Sequence, residues 1–216
     1  MAKVIELNRS ITDSNDRDAM ELREKLRKKG ILLVNLMSSP GSGKTTLLSK
    51  TITDMKGSVT IAVLEADIDS DVDALHIEKM GAKALQIHTG GMCHMDAGMT
   101  ARGLEGIELE GIRLVFLENV GNLICPAEFD TGAHKNVMLL SIPEGDDKPL
   151  KYPLMFSMAD ALIITKIDAR SYFDFDLDKC RERVKRLNPD IKIFPVSAET
   201  GEGMKDWEAW LKENMF

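Results

Sequence analysis

The sequence predicts an α/β fold of three layers, in which helices cover both faces of a mostly parallel sheet of about seven strands. Two observations carry this prediction. Short apolar runs alternate with stretches of helical periodicity along the 216 residues, as in repeated strand–helix units. The apolar run at residues 31–37 also leads through a glycine-containing turn into a helical pattern at residues 46–55.

The elements are predicted in the following order. Residues 1–12 are expected to be a loose arm or a short edge strand, and residues 13–29 a charged helix that ends at Gly30. Strands are predicted at residues 31–37, 59–65, 84–88, 114–118, 137–142, 161–165 and 191–194. Further helices are predicted at residues 46–55, 71–80, from about 95, 176–187 and 203–214, with a charged loop at 144–148. Residues 1–30 would form an arm and helix, and residues 31–216 the main domain.

The turn after the first central strand has the composition of a phosphate-binding loop. Backbone N–H groups of such a turn and the positive end of the helix dipole bind phosphate, and glycines let the backbone approach it closely. Lys44 is expected to reach the β- and γ-phosphates as a catalytic residue, and the Thr45 hydroxyl to hold Mg²⁺. The nucleotide contacts are expected from Gly41, Ser42, Gly43, Lys44, Thr45 and Thr46. The flanking strand and helix favour a P-loop nucleoside-triphosphatase fold, although Ser38 stands where the motif usually has glycine.

A second motif, Thr165-Lys166-Ile167-Asp168, follows the predicted strand at residues 161–165 and points to guanine. Asp168 could accept hydrogen bonds from N1–H and the 2-amino group of guanine, which adenine does not offer, so GTP is favoured over ATP. Lys166 is expected to lie along the base and to tie this loop to the phosphate loop. Ser197 and Ala198, after the last strand, resemble the loop that supports guanine with a backbone N–H. The guanine motif usually begins with asparagine, and here it begins with Thr165.

Two carboxylates at strand ends are the candidate magnesium and water-positioning groups. Asp67 lies in an acidic run, residues 65–71, after the second strand, and we expect it to contact Mg²⁺ and position water. Glu118 follows an apolar strand and could sense Mg²⁺ and the γ-phosphate. The alternatives are that Ser70 or Asp71 only caps the next helix, and that Glu118 only ends a strand. The predicted catalytic set is Lys44, Asp67 and Glu118.

A third group of residues has the chemistry of a transition-metal site. Cys93 and His94 follow one strand and Cys125 follows another, so both segments leave the ligand edge of the sheet. Thiolates and an imidazole suit Zn²⁺ or Ni²⁺, and three ligands leave a tetrahedral position open or shared between two subunits. The alternative is that both cysteines are small buried hydrophobes. A structural role is favoured for Cys180, whereas His88 and His134 could each be supporting or surface groups, a choice that the sequence leaves open.

Composition excludes several classes of protein. The formal net charge of −7, with basic residues spread along the chain, argues against an obligate nucleic-acid binder. No apolar signal core begins the sequence, and no run approaches the length that spans a bilayer. We therefore expect a cytoplasmic protein without nucleic-acid or membrane partners, in a compartment that disfavours disulfides.

Together the motifs resemble those of the HypB family, GTPases that help insert nickel into nickel–iron hydrogenases. The resemblance is carried by SSPGSGKTT, GGMCHMDA, ENVGNLICPAEFD, SIPEGDDKPLKYP and TKID. It implies a P-loop GTPase domain at residues 31–216 that hydrolyses GTP to GDP slowly with Mg²⁺ and forms a homodimer promoted by GTP. It also implies Ni²⁺ or Zn²⁺ ligands at Cys93, His94 and Cys125. The implied partners are a nickel-donating or nickel-accepting accessory protein and the hydrogenase large subunit.

The resemblance has two departures, the lesser being Met92, where a more polar residue is expected, and rival interpretations exist. Some relatives carry an N-terminal cysteine motif or a histidine-rich stretch, and residues 1–30 contain neither Cys nor His, so we expect no high-affinity or storage site. A urease-type nickel-insertion GTPase should show Cys-Pro-His, whereas here Cys-His is separate from Cys-Pro. Lys44, Thr45 and Asp168 argue against a non-catalytic metal scaffold, and Asp168 against an ATP-dependent kinase or partitioning ATPase. A GTPase with merely structural cysteines, acting through protein partners, is the remaining alternative.

Overall fold

A computed structural model describes the backbone of residues 7–67 and 77–216 and the side chains of residues 13–66 and 77–216. The strands are β1 (Leu32–Met37), β2 (Ile61–Asp67), β3 (Lys83–His88), β4 (Leu114–Glu118), β5 (Lys135–Ser141), β6 (Ala161–Thr165) and β7 (Lys192–Pro195). The helices are α1 (Leu7–Lys28), α2 (Lys44–Met55), α3 (Ala97–Glu105), α4 (Lys148–Lys151), α5 (Pro153–Met158), α6 (Leu177–Leu187) and α7 (Met204–Glu213). Short 3₁₀ segments occur at Cys125–Ala127, Ile142–Glu144 and Ile167–Tyr172.

The strands form one sheet in the order β3-β2-β4-β1-β5-β6-β7, and every neighbouring pair is parallel. The carboxyl ends of all seven strands therefore meet at one edge. Strands β2 to β4 lie on one side of β1 and strands β5 to β7 on the other, so the strand order changes direction beside β1. Ligands of open α/β sheets bind at such a point. The predicted three-layer α/β fold is confirmed, with an entirely parallel sheet.

The apolar residues of the strands alternate between the two faces of the sheet. Leu32, Val34 and Leu36 of β1 pack with α2 and α7 on one face, together with Trp207. Leu33 of β1 faces the opposite side, where α1 and α3 pack over the β2–β4–β1 half of the sheet. Helices α5 and α6 cover the β5–β6 half of that second face. Burying both faces explains why the strands read as continuous apolar runs in the sequence.

The prediction for the N-terminal segment is wrong in part. Residues 7–12 were expected to be in an arm or edge strand, but helix α1 begins at Leu7 and continues to Lys28. Neither Gly nor Pro interrupts the chain before Gly30, and an existing helix gains one hydrogen bond for each residue it adds. Residues 1–6 lie outside the described part of the chain.

Two other boundaries need correction. Strand β2 extends to Asp67, so Glu65 and Asp67 lie within it rather than after it, because β3 offers backbone partners as far as His88. The predicted charged loop at residues 144–148 is preceded by a 3₁₀ turn and followed by α4 and α5, which were not predicted. Proline occupies the first turn of both short helices, where no backbone N–H is needed.

Some predictions fall on residues that the structure does not describe. Ser70, Asp71 and most of the helix predicted at residues 71–80 lie there, and residues 77–80 are helical as expected. The backbone of Asp67 is described, but its side chain is not. Within residues 7–67 and 77–216, no helix combines the length and the apolar character needed to cross a membrane.

Candidate nucleotide and metal sites

The phosphate loop joins the end of β1 to the start of α2. Gly41 and Gly43 have φ values of +75° and +96°, a region in which other residues are strained, so this turn requires glycine at both positions. The buried ammonium of Lys44 donates to Ser38 Oγ at 2.9 Å, and Ser42 Oγ donates to the same oxygen at 2.6 Å. Ser38 therefore acts as a buried acceptor that holds the lysine against the loop.

An open cleft of about 520 Å³ lies over this loop. Five of the six predicted loop residues line it, namely Gly41, Gly43, Lys44, Thr45 and Thr46. Ser42, the sixth, is fully buried beneath the loop, and its backbone carbonyl accepts a hydrogen bond from Thr165. The N-terminus of α2 points its free N–H groups and its positive dipole end into a cleft that also contains Lys44, so the cleft suits a polyphosphate.

Oxygen ligands for a hard cation meet at the wall of this cleft. Glu118, at the end of β4, lines the cleft, and its Oε1 lies 3.4 Å from Thr45 Oγ1. Hydroxyl and carboxylate oxygens are the ligands that Mg²⁺ prefers, so these two residues fit that ion beside bound phosphates. Glu65, which was not singled out from the sequence, pairs with Glu118 across β2 and β4 and is also buried.

The base loop lies next to the phosphate loop and is hydrogen-bonded to it at two points. Lys166 Nζ donates to the carbonyl of Gly41 at 2.8 Å, and Thr165 Oγ1 donates to the carbonyl of Ser42 at 2.6 Å. Lys166 is the one non-glycine residue with positive φ, +60°, in the described part of the chain. The strained backbone and both bonds fix the start of this loop against the phosphate loop.

A second cavity of about 240 Å³ opens beside the cleft and shares Gly43, Thr46 and Lys166 with it. Asp168 and Ala198 line this cavity, as expected for a base pocket. Ser197 is buried rather than lining, and its Oγ accepts from the N–H of Thr200 at 3.1 Å, so it shapes the turn that carries Ala198. The two adjoining cavities have the layout of one elongated nucleotide site.

The structure brings the three predicted transition-metal ligands together. Ligand atoms of Cys93, His94 and Cys125 all lie within 4.8 Å of one another, and the residues are half-buried. The two sulfur atoms are 3.0 Å apart and share a hydrogen bond. That hydrogen bond, followed by burial, raises the pKa of the Cys125 thiol. Soft sulfur ligands with one imidazole are suited to Ni²⁺ or Zn²⁺.

Groups that sequence reasoning missed hold the metal-bearing loops. The imidazole of His94 stacks on the ring of Phe129, with centroids 4.0 Å apart and planes inclined by 13°. The buried side chain of Asn119, directly after Glu118, accepts a hydrogen bond from the N–H of Met95 at 3.2 Å. The same side chain donates to Asn35 Oδ1 of β1 at 3.1 Å. The only sequence signal for these roles was the presence of polar and aromatic residues inside the loop motifs.

The remaining cysteine and histidines lie outside the metal cluster. Cys180 lies on α6 with its side chain fully buried in the core, and burial raises its pKa to about 12, as expected for a structural residue. His88 is exposed at the end of β3. His134 is half-buried, and its ring accepts a hydrogen bond from the N–H of Leu33 and bonds the carbonyl of Arg23 on α1.

Known proteins share this sequence and architecture. Residues 32–195 match the family model of the "CobW/HypB/UreG, nucleotide-binding domain". The chain is 46% identical over 213 residues to a hydrogenase maturation factor HypB of Azotobacter chroococcum mcd 1, covering 98% of this chain and 69% of that protein. It is 40% identical to a hydrogenase/urease maturation factor HypB of Helicobacter pylori strain J99, covering 98% and 88% of the two chains.

A solved structure agrees with these sequence similarities. The crystal structure of HypB from Helicobacter pylori in complex with nickel superposes with a TM-score of 0.88 at 41% identity, covering 93% of this chain and 94% of that one. The chain therefore belongs to the HypB family within the CobW/HypB/UreG nucleotide-binding proteins.

Proposed function

We propose that this chain is a GTP-hydrolysing metallochaperone that couples nucleotide-driven dimerisation to binding and release of nickel or zinc for nickel–iron hydrogenase maturation. One observation carries the proposal: the segment that leaves β4 runs from Glu118 in the phosphate cleft to Cys125 in the metal cluster. A change at the nucleotide can thus reach a metal ligand seven residues further along the chain. Residues 31–216 would be the GTPase domain.

Guanine selection is assigned to the cavity that contains Asp168. The Asp168 carboxylate would accept hydrogen bonds from both guanine donors. With adenine in the cavity, the carboxylate would lose water without gaining these bonds, and the resulting loss of binding free energy would exclude ATP. Ala198 would support the base through its backbone, and Lys166 would cover one face. These roles are supported by the position of all three residues in the same cavity wall.

Hydrolysis would depend on Lys44, Thr45 and the two strand-end carboxylates. Lys44 would neutralise charge on the β- and γ-phosphates, while Thr45 and Asp67 would hold Mg²⁺, which supplies further charge stabilisation when bound. Glu118 would position the attacking water or sense the γ-phosphate. The 3.4 Å separation between Thr45 Oγ1 and Glu118 Oε1 supports placing these functions at one point. Turnover is expected to be slow.

Coupling between the sites is supported by contacts of the β4 loop. Gly121 lies so close to the phosphate loop that a Cβ there would be 3.0 Å from Pro40 Cγ. Asn119 is bonded to the backbone of Met95, next to His94. Ordering of the loop by GTP and Mg²⁺ would therefore move Cys125 relative to Cys93 and His94, and so change metal affinity.

Dimerisation is proposed because three ligands leave the metal incompletely coordinated. Two large apolar side chains beside the cysteines, Met92 and Ile124, are 42% and 58% exposed. Exposed apolar groups around an unfinished ligand set suit a second copy of the chain, which would complete or enclose the site across a two-fold axis. GTP would promote this homodimer by ordering the loop that carries Ile124.

The proposed biological partners follow from the relatives. Their names point to hydrogenase maturation, so the metal would be exchanged with an accessory protein and the hydrogenase large subunit. The Helicobacter pylori relative is named a hydrogenase/urease maturation factor, which favours urease as a second possible recipient. A GTPase with merely structural cysteines remains the competing proposal.

Chelator competition tests the function. The affinities of the wild type and Cys93→Ala for Ni²⁺ and Zn²⁺ would each be measured with GDP and with a non-hydrolysable GTP analogue. We expect Cys93→Ala to lower metal affinity by roughly 10-fold or more and wild-type affinity to differ between the nucleotides. Cys180→Ala is the matched control, because it removes a thiol outside the cluster.

The outcomes separate the proposals. Metal binding that survives Cys93→Ala and ignores the nucleotide would leave a GTPase with structural cysteines. Release of phosphate from GTP, measured on the wild type and on Lys44→Ala, decides the enzymatic part. No release above that of Lys44→Ala would mean that the chain is a metal-binding scaffold.

A further inference from the structure

Helix α1 carries none of the proposed ligands or nucleotide contacts, yet its polar side chains reach both metal-bearing loops. We propose that α1 positions the metal site: Asn15 and Arg23 hold the loop of Cys93 and His94 in register with the loop of Cys125, and set the orientation of His94 through Asp130 and Phe129. This inference rests on the proposed metal-binding function.

Asn15 joins the two loops with the two polar atoms of one amide. Its Oδ1 accepts a hydrogen bond from the N–H of Ala97, three residues after His94, at 3.0 Å. Its Nδ2 donates to the backbone carbonyl of Asp130, five residues after Cys125, at 2.9 Å. Ala97 is fully buried, so its N–H would lose its partner if Asn15 were removed. The amide therefore fixes the distance between the two loops.

Arg23 holds the second loop more strongly. Its Nη2 donates to both carboxylate oxygens of Asp130, at 2.7 and 2.8 Å, and its Nε donates to the carbonyl of Ala133 at 2.9 Å. Asp130 also accepts from the N–H of Gly132 at 2.8 Å. Charge-assisted bonds to a planar guanidinium restrict both position and orientation, and both side chains are two-thirds buried. The end of the metal-bearing loop is thus attached to α1.

The attachment is close as well as polar. Gly132 has a φ of +77°, and a Cβ at this position would lie 2.8 Å from Leu22 Cδ2 of α1. The helix and the segment 130–133 therefore touch without room for a side chain between them. A displacement of α1 would displace that segment too.

Phe129 connects Asp130 to the proposed ligand His94. It precedes Asp130 directly, and its ring stacks on the imidazole of His94 at 4.0 Å. Ligating histidines usually have their orientation set by a hydrogen bond at the second ring nitrogen. Among the described residues, the buried Nδ1 of His94 has no hydrogen-bond partner. The stack with Phe129 is then the contact that sets the plane of the ring.

The experiment measures Ni²⁺ affinity and coordination in the full chain carrying Asn15→Ala or Arg23→Ala. We expect affinity to fall roughly 10-fold or more, as for other changes behind a ligand. The nickel–thiolate absorption band should persist, because both cysteines remain, while the imidazole signal in X-ray absorption spectra should weaken. GDP affinity should stay at the wild-type value, since α1 lines neither nucleotide cavity.

Matched controls lie on the same helix. Arg17→Ala removes an exposed arginine whose Nε donates to the carbonyl of Asp13 in α1, and Asp16→Ala removes an exposed neighbour of Asn15. Both should bind nickel as the wild type does. Arg23→Lys and Asn15→Asp serve where an alanine variant fails to fold, because they keep the helix and lose the guanidinium fork or the amide donor.

A double-mutant cycle tests whether Arg23 acts on His94 through the ring of Phe129. Phe129→Leu keeps apolar volume but removes the stack, and combining it with Arg23→Ala should cost no more nickel affinity than the larger single change. Additive losses would overturn the route through Phe129. If both alanine variants bind nickel as the wild type does while Cys93→Ala weakens binding, the proposed role of α1 is wrong. If Cys93→Ala has no effect either, the metal-binding proposal itself fails.

Discussion

Ser38 and Thr165 each stand where the usual motif has a different residue, and each contributes a side-chain hydroxyl to the phosphate loop. Ser38 replaces a glycine of the usual phosphate-loop motif, and its hydroxyl accepts bonds from Lys44 and Ser42. Thr165 replaces the asparagine of the usual guanine motif and bonds the phosphate loop through its hydroxyl at 2.6 Å. At Thr165 a hydroxyl is sufficient because the contact with the carbonyl of Ser42 needs one donor rather than a whole amide.

Replacement of Thr165 by valine tests this role at the residue scale. Thr165→Val keeps the shape but leaves the buried carbonyl of Ser42 without its donor, which should lower the free energy of unfolding by about 1–2 kcal/mol. Urea denaturation measures the change. Thr53→Val is the control, because the Thr53 hydroxyl is exposed, where it contacts the carbonyl of Ser49 in α2 and the sulfur of Met80. Equal effects of the two substitutions would contradict the prediction.

Asp168 carries the proposed choice of base. Asp168→Asn exchanges an acceptor for a donor, so GTP affinity should fall on the order of 100-fold from the loss of two charge-assisted bonds, while xanthosine triphosphate should gain. Competition between the two nucleotides measures both effects. Asp190→Asn, an exposed change in a different cleft at the amino-terminal edge of the sheet, should leave both affinities unaltered. Unchanged GTP binding by Asp168→Asn would remove the guanine assignment.

At the scale of elements, α1 is one of the helices that cover the sheet, and it packs closely against β1 and the segment 130–133. Leu22 and Leu26 are buried in the core against β1, and Arg23 reaches past them to Asp130. The absence of a side chain at Gly132 allows Leu22 of α1 to lie directly against the backbone there. The packing of α1 is therefore specified by small and apolar residues on both partners.

Gly132→Ala tests that contact. The substitution adds left-handed backbone strain and an overlap with Leu22, so the free energy of unfolding should fall by about 2–4 kcal/mol. Gly111→Ala is closely matched, because Gly111 has a φ of +75° and open space around it, and should cost about 1–2 kcal/mol. A loss of the same size at both sites would show that α1 does not pack tightly there.

The docking of α1 should also depend on pH through His134. Burial, with Arg23, Arg27 and Lys135 nearby, lowers the pKa of His134 below its ordinary value. The unfolded chain therefore binds the proton more readily, so stability from this group is present at neutral pH and is lost as pH falls below about 6.5. Protonation of His134 Nδ1 would also remove the acceptor of the hydrogen bond from the N–H of Leu33.

Urea denaturation between pH 7.5 and 5 checks this dependence. His134→Asn, which keeps an acceptor without a titrating ring, should lose stability less steeply than the wild type over this range. His88→Asn is the control, because His88 is exposed at a strand end. Parallel profiles for the wild type and His134→Asn would contradict the assignment.

At the scale of the whole molecule, one sheet edge places the phosphate cleft, the base cavity and the metal cluster next to one another. Loops after β1 and β6 form the nucleotide site, and loops after β3 and β4 carry the cysteines. Hydrogen bonds of three asparagine side chains run from the backbone N–H of Met95 through Asn119, at the end of β4, and Asn35 of β1 to Asn136 of β5. This proximity is what the proposed coupling of metal and nucleotide requires.

Linkage makes that interaction measurable. If a GTP analogue changes Ni²⁺ affinity by some factor, Ni²⁺ must change the affinity of the analogue by the same factor, which we expect to be roughly 5- to 150-fold. Titrations of each ligand with and without the other give both factors. GDP is the reference nucleotide. Identical affinities for the analogue with and without Ni²⁺ would exclude coupling.

The sequence alone determined the layered fold and the order of its elements. The two nucleotide motifs and the set Cys93, His94 and Cys125 were also readable, because strand ends of a parallel sheet share one edge. These features depend on local periodicity and on short motifs with fixed flanking elements. The start of α1 and the end of β2 were misjudged because helix propagation and the length of a neighbouring strand decide them.

Only the tertiary structure decided which distant side chains support the site. Asn15 is 82 residues from Ala97 and 115 from Asp130, and nothing in the local pattern of α1 distinguishes it from its solvent-facing neighbours. The stack of Phe129 on His94 likewise depends on how two loops converge. Such contacts arise from the packing of a helix on a sheet, which places residues together regardless of their separation along the chain.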